Sequence, residues 1–348
     1  MHRLALILLG LGTTGLVLPV FGLEPEGTPH LFPLLGLGLI TAGLSALFVA
    51  YRRDPTVTGD PRAWRRFRKN KGAIAGGVLV LMVGAIGFVG PILAPHDPDA
   101  IYDAGLTENG TPIEPGTVET DDGETLSFLV GTDNLGRDEL SRLLYGGRVS
   151  LSVAMGAVAI AGTLGFLAGI FAGYFRGIID GTIIQVINFV LSLPFLLVAI
   201  ALNRVIDDPS LFTLCILLGL LSWTRLARVT RAKTLQVREL EYVQAARALG
   251  MGHGRILLRH VMPNVMGPAI VLVTTLIAQM IIIESAMSFL GLGVKPPTAS
   301  WGTMLRDGQE YMVYAPRLLV WPAVLIVMTV FGFNLLGEGM RDALDPKE

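Results

Sequence analysis

The chain has 348 residues, of which 52% are hydrophobic and 16% charged, with a net charge of −1 and a mean hydropathy of +0.60. Soluble domains carry about 25% charged residues, so this composition excludes an ordinary soluble protein and indicates a membrane protein. The lone cysteine, Cys215, excludes an internal disulfide framework, and the five histidines form no HExxH pattern, so we expect no metal site. The charge balance gives no reason to expect a nucleic-acid partner.

Long apolar stretches recur along the chain. A helix needs about 20 mostly apolar residues to cross the hydrocarbon core, and backbone polar groups cannot stay unpaired in lipid. Candidate spans are residues 4–20, 31–51, 73–93, 149–173, 181–203, 210–224, 265–287 and 317–337. We therefore predict an all-α polytopic membrane protein with about eight transmembrane helices. Residues 1–20 could instead be a signal peptide, but no A-x-A-like cleavage site follows them.

Charge clusters predict the orientation of these spans, because basic residues accumulate on the cytoplasmic side. Two loops are basic, at residues 52–72 and 225–263, whereas the loop at 94–148 is acidic and has no basic residue before Arg137. This bias predicts that both termini and both basic loops are cytoplasmic. Residues 94–148 and 288–316 are then outside.

The acidic outer loop is rich in Gly, Pro, Thr and Asp from 105 to 124, which predicts irregular surface structure. It continues into GTDNLGRDELSRLLYGGRVSL, where Asp133 or Asn134 can cap a short helix. Gly146 and Gly147 are expected to end that helix before the next span. We expect it to pack on the outer rim of the bundle. The motif residues Asp133, Arg137 and Asp138 are expected to form local ion pairs rather than a catalytic site.

Residues 241–264, EYVQAARALGMGHGRILLRHVMPN, form a polar, basic segment between two predicted spans. At 3.6 residues per turn, its first part is an amphipathic helix. The apolar face carries Tyr242, Ala245, Ala246 and Leu249, and the polar face carries Glu241, Gln244 and Arg247. Three glycines then interrupt the helix, because glycine is costly in a helix interior: Gly250, Gly252 and Gly254.

A second arm follows the glycines. Its apolar side carries Ile256, Leu257 and Val261, and Arg255 and Arg259 lie on the opposite side. Pro263 suits the first turn of the next helix, where its missing N–H is not needed. The segment is thus predicted to be a helix, a glycine bend and a helix at the cytoplasmic surface. It could rest on anionic lipid headgroups through its basic charge, or dock as an amphipathic helix in a groove of a cytoplasmic partner.

The spacing in QAARALGMGHGRILLRHVMPN resembles the EAA loop of ABC-importer permeases. That loop has the pattern Glu-Ala-Ala, three residues, Gly, nine residues, then Ile-x-Leu-Pro. Matching residues here are Gln244, Ala245, Ala246, Gly250 and Pro263. This chain has Gln in place of Glu at 244, His260 in place of Ile and Met262 in place of Leu.

Three further segments resemble the dipeptide/oligopeptide/nickel permease family in its C-type subunit: GTDNLGRDELSRLLYGGRVSL, SFLGLGVKPPTASWGTML and FNLLGEGMRDALDP. The resemblance extends from about Arg65 to Lys347. It implies a six-helix type I importer core over residues 65–348. Residues 1–64 would then add an N-terminal transmembrane hairpin and a basic linker in front of that core.

The resemblance implies a multi-pass subunit of the cell membrane, contacting lipid, that forms half of a heterodimeric pore. Its expected partners are a second, B-type permease subunit, two cytoplasmic ABC ATPases and an extracytoplasmic substrate-binding protein. The expected cargo is a di- or oligopeptide or a related solute such as a nickel chelate. None of the five lysines follows a glycine, so the chain lacks the GxxxxGK[ST] loop of an ATPase. We expect this chain to bind no cofactor, with ATP and Mg²⁺ used by the ATPase subunits.

The same resemblance suggests an ATPase-coupling role for the EAA loop, namely Tyr242, Gln244, Ala245, Ala246, Leu249, Gly250, Arg255 and Pro263. Glu284 is the one acidic residue inside a predicted span, near its outer end, where it could line the pore mouth or pair with the rim. An ion-coupled secondary transporter or channel is the main alternative. Such proteins need ionisable residues at mid-depth, and the other predicted spans lack them. An intramembrane hydrolase would need a base near a nucleophile, and no His or Lys lies within a span.

Overall fold

The computed structural model describes residues 61–344, apart from 121–122, 124 and 206–209. The predicted spans 4–20 and 31–51, and with them the N-terminal hairpin and the possible signal peptide, lie outside the described residues. Within the described part, five helices are long and apolar enough to cross a membrane: Lys71–Ile92, Glu139–Phe175, Leu211–Arg238, His253–Phe289 and Arg317–Ala343. A bent pair of helices, Gly177–Ser192 and Phe195–Leu202, makes a sixth candidate when it is counted as one span, and the total then equals the predicted six-helix core.

The chain order of elements is as follows. The helices are α1 (Pro61–Lys69), α2 (Lys71–Phe88), α3 (Glu139–Phe175), α4 (Gly177–Ser192), α5 (Phe195–Val205), α6 (Leu211–Arg238), α7 (Glu241–Ala248), α8 (His253–Ile256), α9 (Met262–Phe289), α10 (Trp301–Gly308) and α11 (Arg317–Leu344). Two short antiparallel strands, β1 (Gly116–Glu119) and β2 (Thr125–Phe128), lie in the outer loop, with Gly116 opposite Phe128. The loop is therefore less irregular than predicted, and the all-α fold carries one small hairpin.

Helix α3 corrects the prediction of a separate short helix at the rim. Asp138, rather than Asp133 or Asn134, caps the helix by accepting a hydrogen bond from the Ser141 backbone N–H at 2.9 Å. The helix then runs unbroken through Gly146 and Gly147. Tertiary packing explains both glycines, because a methyl group added at Gly147 would come within 2.8 Å of the Trp301 ring.

Helices α3 and α6 pack through a ladder of small residues. Gly165, Gly169 and Gly173 recur every four residues on the face of α3 that meets α6. A methyl group at Gly169 would come within 2.6 Å of the Ala227 carbonyl oxygen, and one at Gly173 within 2.6 Å of the Thr234 Cβ. Small residues let helix backbones approach closely in membranes, where apolar burial alone does not drive association.

Gly169→Val is expected to force α3 and α6 apart and to lower stability by about 1–3 kcal/mol, the usual effect of overpacking. Thermal denaturation of the purified protein in detergent measures the loss. Gly84→Val on α2 is the matched control, because a methyl group at Gly84 meets nothing within 4 Å. Equal melting temperatures for the two variants would contradict the claim that close packing at Gly169 holds α3 and α6 together.

Two predicted spans differ in the structure. The span at 181–203 is broken into α4 and α5, which are bent by 85° at a short break before Phe195. Pro194 occupies the break and accounts for it, because proline disfavours helical geometry in the residue before it. The span at 210–224 continues as α6 to Arg238, so the basic residues 225–238 are helical, and their cytoplasmic location stays a prediction.

Candidate functional site

The segment 241–264 has the predicted helix–bend–helix form. Helix α7 ends at Ala248, and Gly250 has a φ of +75°, a left-handed conformation that favours glycine. Helix α8 begins at His253 and passes through a π-helical turn, Leu257–Val261, into α9. Pro263 lies in the first turn of α9, as predicted.

The two arms bury their inner faces against the ends of the long helices. In the second arm Ile256, Leu257 and Val261 are buried, as predicted. In the first arm Val243 and Ala246 are buried. All five pack in one cluster with residues of α3, α6 and α9, namely Ile170, Tyr174, Val237 and Val265. The segment is thus firmly attached to three helices that enter the membrane.

The predicted apolar face of the first arm is wrong in part. Only Ala246 of that face is buried, whereas Tyr242 is 44% exposed, Leu249 is 85% exposed and Ala245 is also exposed. On the second arm Leu258 is 69% exposed, although the sequence did not single it out. An apolar surface therefore faces away from the chain; we call it the docking face and define it as Tyr242, Ala245, Leu249 and Leu258.

Exposed basic residues and exposed glycines lie on the same segment as the docking face. Arg255 and Arg259 are exposed, as predicted from their side of the second arm. Gly252 and Gly254 are exposed as well, and a methyl group added at either would meet nothing within 4 Å. Partial burial raises the pKa of the Tyr242 hydroxyl above its usual range.

Polar contacts fix the segment on α3 and α6. The Tyr174 hydroxyl lies 3.0 Å from His253 Nδ1, and the Arg247 guanidinium lies 5.6 Å from the centre of the Tyr174 ring. Gln244 Nε2 donates to the Arg238 carbonyl oxygen at 3.2 Å and to Glu239 Oε2 at 3.1 Å. A glutamate at 244 could not donate these bonds, so glutamine suits this position. The sequence did not reveal these partners, because they are distant along the chain or lie on α6.

Of the local ion pairs predicted for the outer-rim motif, the one between Asp133 and Arg137 is present. Asp133 accepts the Arg137 backbone N–H at 2.9 Å and lies 2.7 Å from Arg137 Nε. Arg142 Nε lies 3.2 Å from the same carboxylate, and all three side chains are buried. Asp138 is occupied by the α3 cap and lies 3.5 Å from His96 Nδ1. The cluster is a structural brace between the outer loop and α3.

The side chain of Glu284 is buried within the protein. It is 1% exposed and accepts a hydrogen bond from the Ser288 hydroxyl at 2.8 Å. Ser300 and Trp301, at the start of α10, are buried as well. This burial favours the alternative in which Glu284 pairs with the rim over the one in which it lines the pore mouth.

Fold and site together define a class of protein: a multi-pass helical membrane subunit that presents an apolar docking face on one side of its bundle. Residues 165–348 match the family model described as "Binding-protein-dependent transport system inner membrane component". Residues 62–111 match the "N-terminal TM domain of oligopeptide transport permease C". The matched regions cover the docking face, the paired helices α4 and α5, and the entry helix α2.

Curated relatives agree with these matches. The chain is 38% identical to the dipeptide transport system permease protein DppC of Bacillus subtilis (strain 168), over 85% of this chain and 88% of that relative. It is 36% identical to a di/tripeptide transport system permease protein of Pseudomonas aeruginosa (strain UCBPP-PA14), over 82% and 91%. It is 34% identical to a glutathione transport system permease protein of Pectobacterium atrosepticum, over 85% and 94%.

The chain belongs to the family of binding-protein-dependent transport system inner membrane components. It is the permease component of an ABC importer, a multi-pass membrane subunit rather than an ATPase. This membership supports the importer over the ion-coupled transporter that the sequence left as an alternative. It also implies that the chain works with permease and ATPase partners.

Proposed function

We propose that this chain forms half of the translocation pathway of an ATP-driven importer of di- or oligopeptides. A B-type permease forms the other half, two cytoplasmic ATPases drive transport with ATP and Mg²⁺, and an extracytoplasmic binding protein delivers the peptide. The chain itself holds no cofactor. The three relatives described above are named for dipeptide, di/tripeptide and glutathione transport, which favours small peptides over a nickel chelate as cargo.

The observation that carries the coupling part of the proposal is the docking face. Its exposed leucines, Leu249 and Leu258, would be costly to leave in water, and apolar anchors of this kind fill grooves on partner proteins. Because the opposite side of the segment packs on α3, α6 and α9, a force applied at the face is passed to three membrane helices. The segment 241–264 is therefore suited to act as a coupling helix.

Binding to lipid headgroups accounts less well for this surface. A lipid-binding helix depends mainly on basic charge, which Arg255 and Arg259 would supply, and it tolerates changes of shape. The face has a defined shape, because Gly250 holds a left-handed bend between its two arms. Arg255→Gln combined with Arg259→Gln keeps that shape, so we expect it to impair uptake mildly if the face docks on a protein. A severe loss of uptake in the double variant would favour lipid.

Reconstitution tests the whole proposal. The purified chain is expected to show no ATP hydrolysis, and proteoliposomes should take up peptide only when the second permease, the ATPases and the binding protein are present with ATP and Mg²⁺. Uptake driven by an ion gradient without ATPases would contradict the proposal, as would ATP turnover by this chain alone.

The orientation follows from the same proposal, with the docking face, residues 52–72 and both termini in the cytoplasm and residues 94–148 and 288–316 outside. Thr117, on the outer hairpin, and Arg341, near the end of α11, are both exposed. With Cys215 replaced, an impermeant thiol reagent added to intact cells should label a cysteine at 117 and not one at 341. The reverse labelling would invert the topology.

A further inference from the structure

Helix α4 carries a polar stripe along one face. Gly181, Gln185, Asn188 and Ser192 follow one another at intervals of four, three and four residues, which places them on the same side of the helix. All four are exposed. Val186, on the other side of α4 at the same depth, is apolar and 44% exposed. The helix thus has one polar and one apolar exposed side.

A positive charge from α6 reaches this stripe. Arg228 Nη2 donates a hydrogen bond to Asn188 Oδ1 at 2.7 Å, and both residues are exposed. Asn188 lies about 16 Å along the helix from Gly177, the first residue of α4. Arg228 itself lies on Leu211–Arg238, a helix that is long and apolar enough to cross a membrane.

The neighbouring arginine on α6, Arg231, differs from Arg228 in the charge of its partner. Arg231, one turn further along α6, pairs with Asp180 through an Nη2–Oδ2 distance of 2.7 Å, so its charge is compensated. Arg228 has a neutral amide as its partner, and no carboxylate of the described residues lies within 4 Å of it. An exposed charge on a membrane-spanning helix is costly where it meets lipid, so such residues normally face a water-filled pathway.

A broken helix adds a second indication. The stripe ends at Ser192, where α4 gives way to α5 with a bend of 85°. In transporters, discontinuous helices commonly border the site through which the substrate passes. The polar stripe, the uncompensated charge and the break therefore lie on one line along α4.

We propose that the polar stripe of α4 lines the translocation pathway and that Arg228 binds a carboxylate of the passing peptide, such as its C-terminal carboxylate. This assignment rests on the proposed function. Arginine suits the role, because its guanidinium stays charged and can donate two parallel hydrogen bonds to a carboxylate. Asn188 positions the guanidinium, and Gln185 and Ser192 offer further polar groups along the route.

Two variants separate substrate binding from a merely structural link between α4 and α6. Arg228→Gln removes the charge and is expected to lower uptake of a dipeptide by about tenfold or more, the usual effect of losing a charged hydrogen bond. Asn188→Asp keeps the link, and even strengthens it, but supplies an internal carboxylate that occupies Arg228. We expect a similar loss of uptake from Asn188→Asp, whereas a purely structural link predicts normal uptake.

The measurement is ATP-dependent dipeptide uptake by the assembled transporter in proteoliposomes, with co-purification of the ATPases as the check on assembly. Arg228→Lys keeps the charge and should retain most of the uptake. Normal uptake by either Arg228→Gln or Asn188→Asp would overturn the role of Arg228. If the unmodified transporter itself shows no ATP-dependent uptake, the proposed function fails instead, so the two failures are distinguishable.

Accessibility tests the stripe independently. With Cys215 replaced, a cysteine at Gln185 should react with a hydrophilic thiol reagent in the assembled transporter, and dipeptide should slow that reaction during turnover. A cysteine at Val186 is the matched control and should remain unreactive. If the cysteine at 185 does not react and instead cross-links to the second permease, the stripe is a dry subunit interface and the inference is wrong.

Discussion

Gly252→Trp is expected to abolish peptide uptake and co-purification of the ATPases while the permease still inserts and assembles with its B-type partner. Gly252 lies in the bend between the two arms of the docking segment and has ordinary extended backbone angles, with φ −61° and ψ 145°. A side chain there meets nothing within 4 Å in this chain. The indole would therefore project into the space that the ATPase groove is proposed to occupy, without straining the permease.

Gly252→Ala is the matched control, because it changes the backbone preference in the same way and adds almost no bulk. We expect its uptake to stay near that of the unmodified protein. Gly250→Trp should also block docking, but its φ of +75° means that any side chain strains the backbone there. If Gly252→Trp retains its ATPases and its normal uptake, coupling occurs elsewhere in the chain.

Asp133→Ala is expected to lower stability severely, by about 3–5 kcal/mol, because it removes the carboxylate that two buried guanidinium groups share and leaves Arg142 only the partly exposed Asp99. Arg137 and Arg142 have side chains that are 6% and 3% exposed, so water cannot replace the lost partner. The variant should melt far below the unmodified protein in detergent and accumulate poorly in the membrane. Thermal denaturation followed by size-exclusion chromatography measures the change.

Asp99→Asn is the control for that prediction. Arg142 Nη1 lies 3.4 Å from Asp99, whose side chain is 44% exposed, and burial raises the pKa of the Asp99 carboxyl while Arg142 opposes the rise. A partly exposed pair of this kind contributes about 1 kcal/mol or less. Equal losses of melting temperature in Asp99→Asn and Asp133→Ala would contradict the prediction that burial makes the Asp133 ion pairs contribute more to stability than the Asp99 pair.

The sequence predicted the parts of the docking segment that have strong local signals. Glycine at 250 can adopt backbone angles that other residues avoid, and proline at 263 favours the first turn of a helix. The bend and the start of α9 could therefore be placed from sequence alone. The buried side of the second arm was also correct, because three large apolar residues define it. In the first arm the small alanines do not define a side, and contacts with Tyr174 and Val237 bury Val243 instead of Tyr242.

Features that depend on distant residues could not be predicted in the same way. Gly146 and Gly147 look like a helix end, yet packing against Ser300 and Trp301, more than 150 residues away, explains both. The extension of α6 through its basic half was missed because hydropathy detects only the apolar part of a helix. The break of α4 at Pro194 did have a local signal, namely the proline itself. The ion pair between Asp180 and Arg231 was also not predicted, because Asp180 lies one residue before the predicted span 181–203.

A photoreactive amino acid at Leu249 tests the central claim most directly. This residue is 85% exposed at the tip of the docking face, and Val313, which is 79% exposed in the predicted outer region, provides the control position. Irradiation of intact cells is expected to link position 249 to an ATPase subunit and to leave position 313 unlinked to it. Cross-linking of position 249 to lipid alone, with the ATPases present in the membrane, would contradict the account.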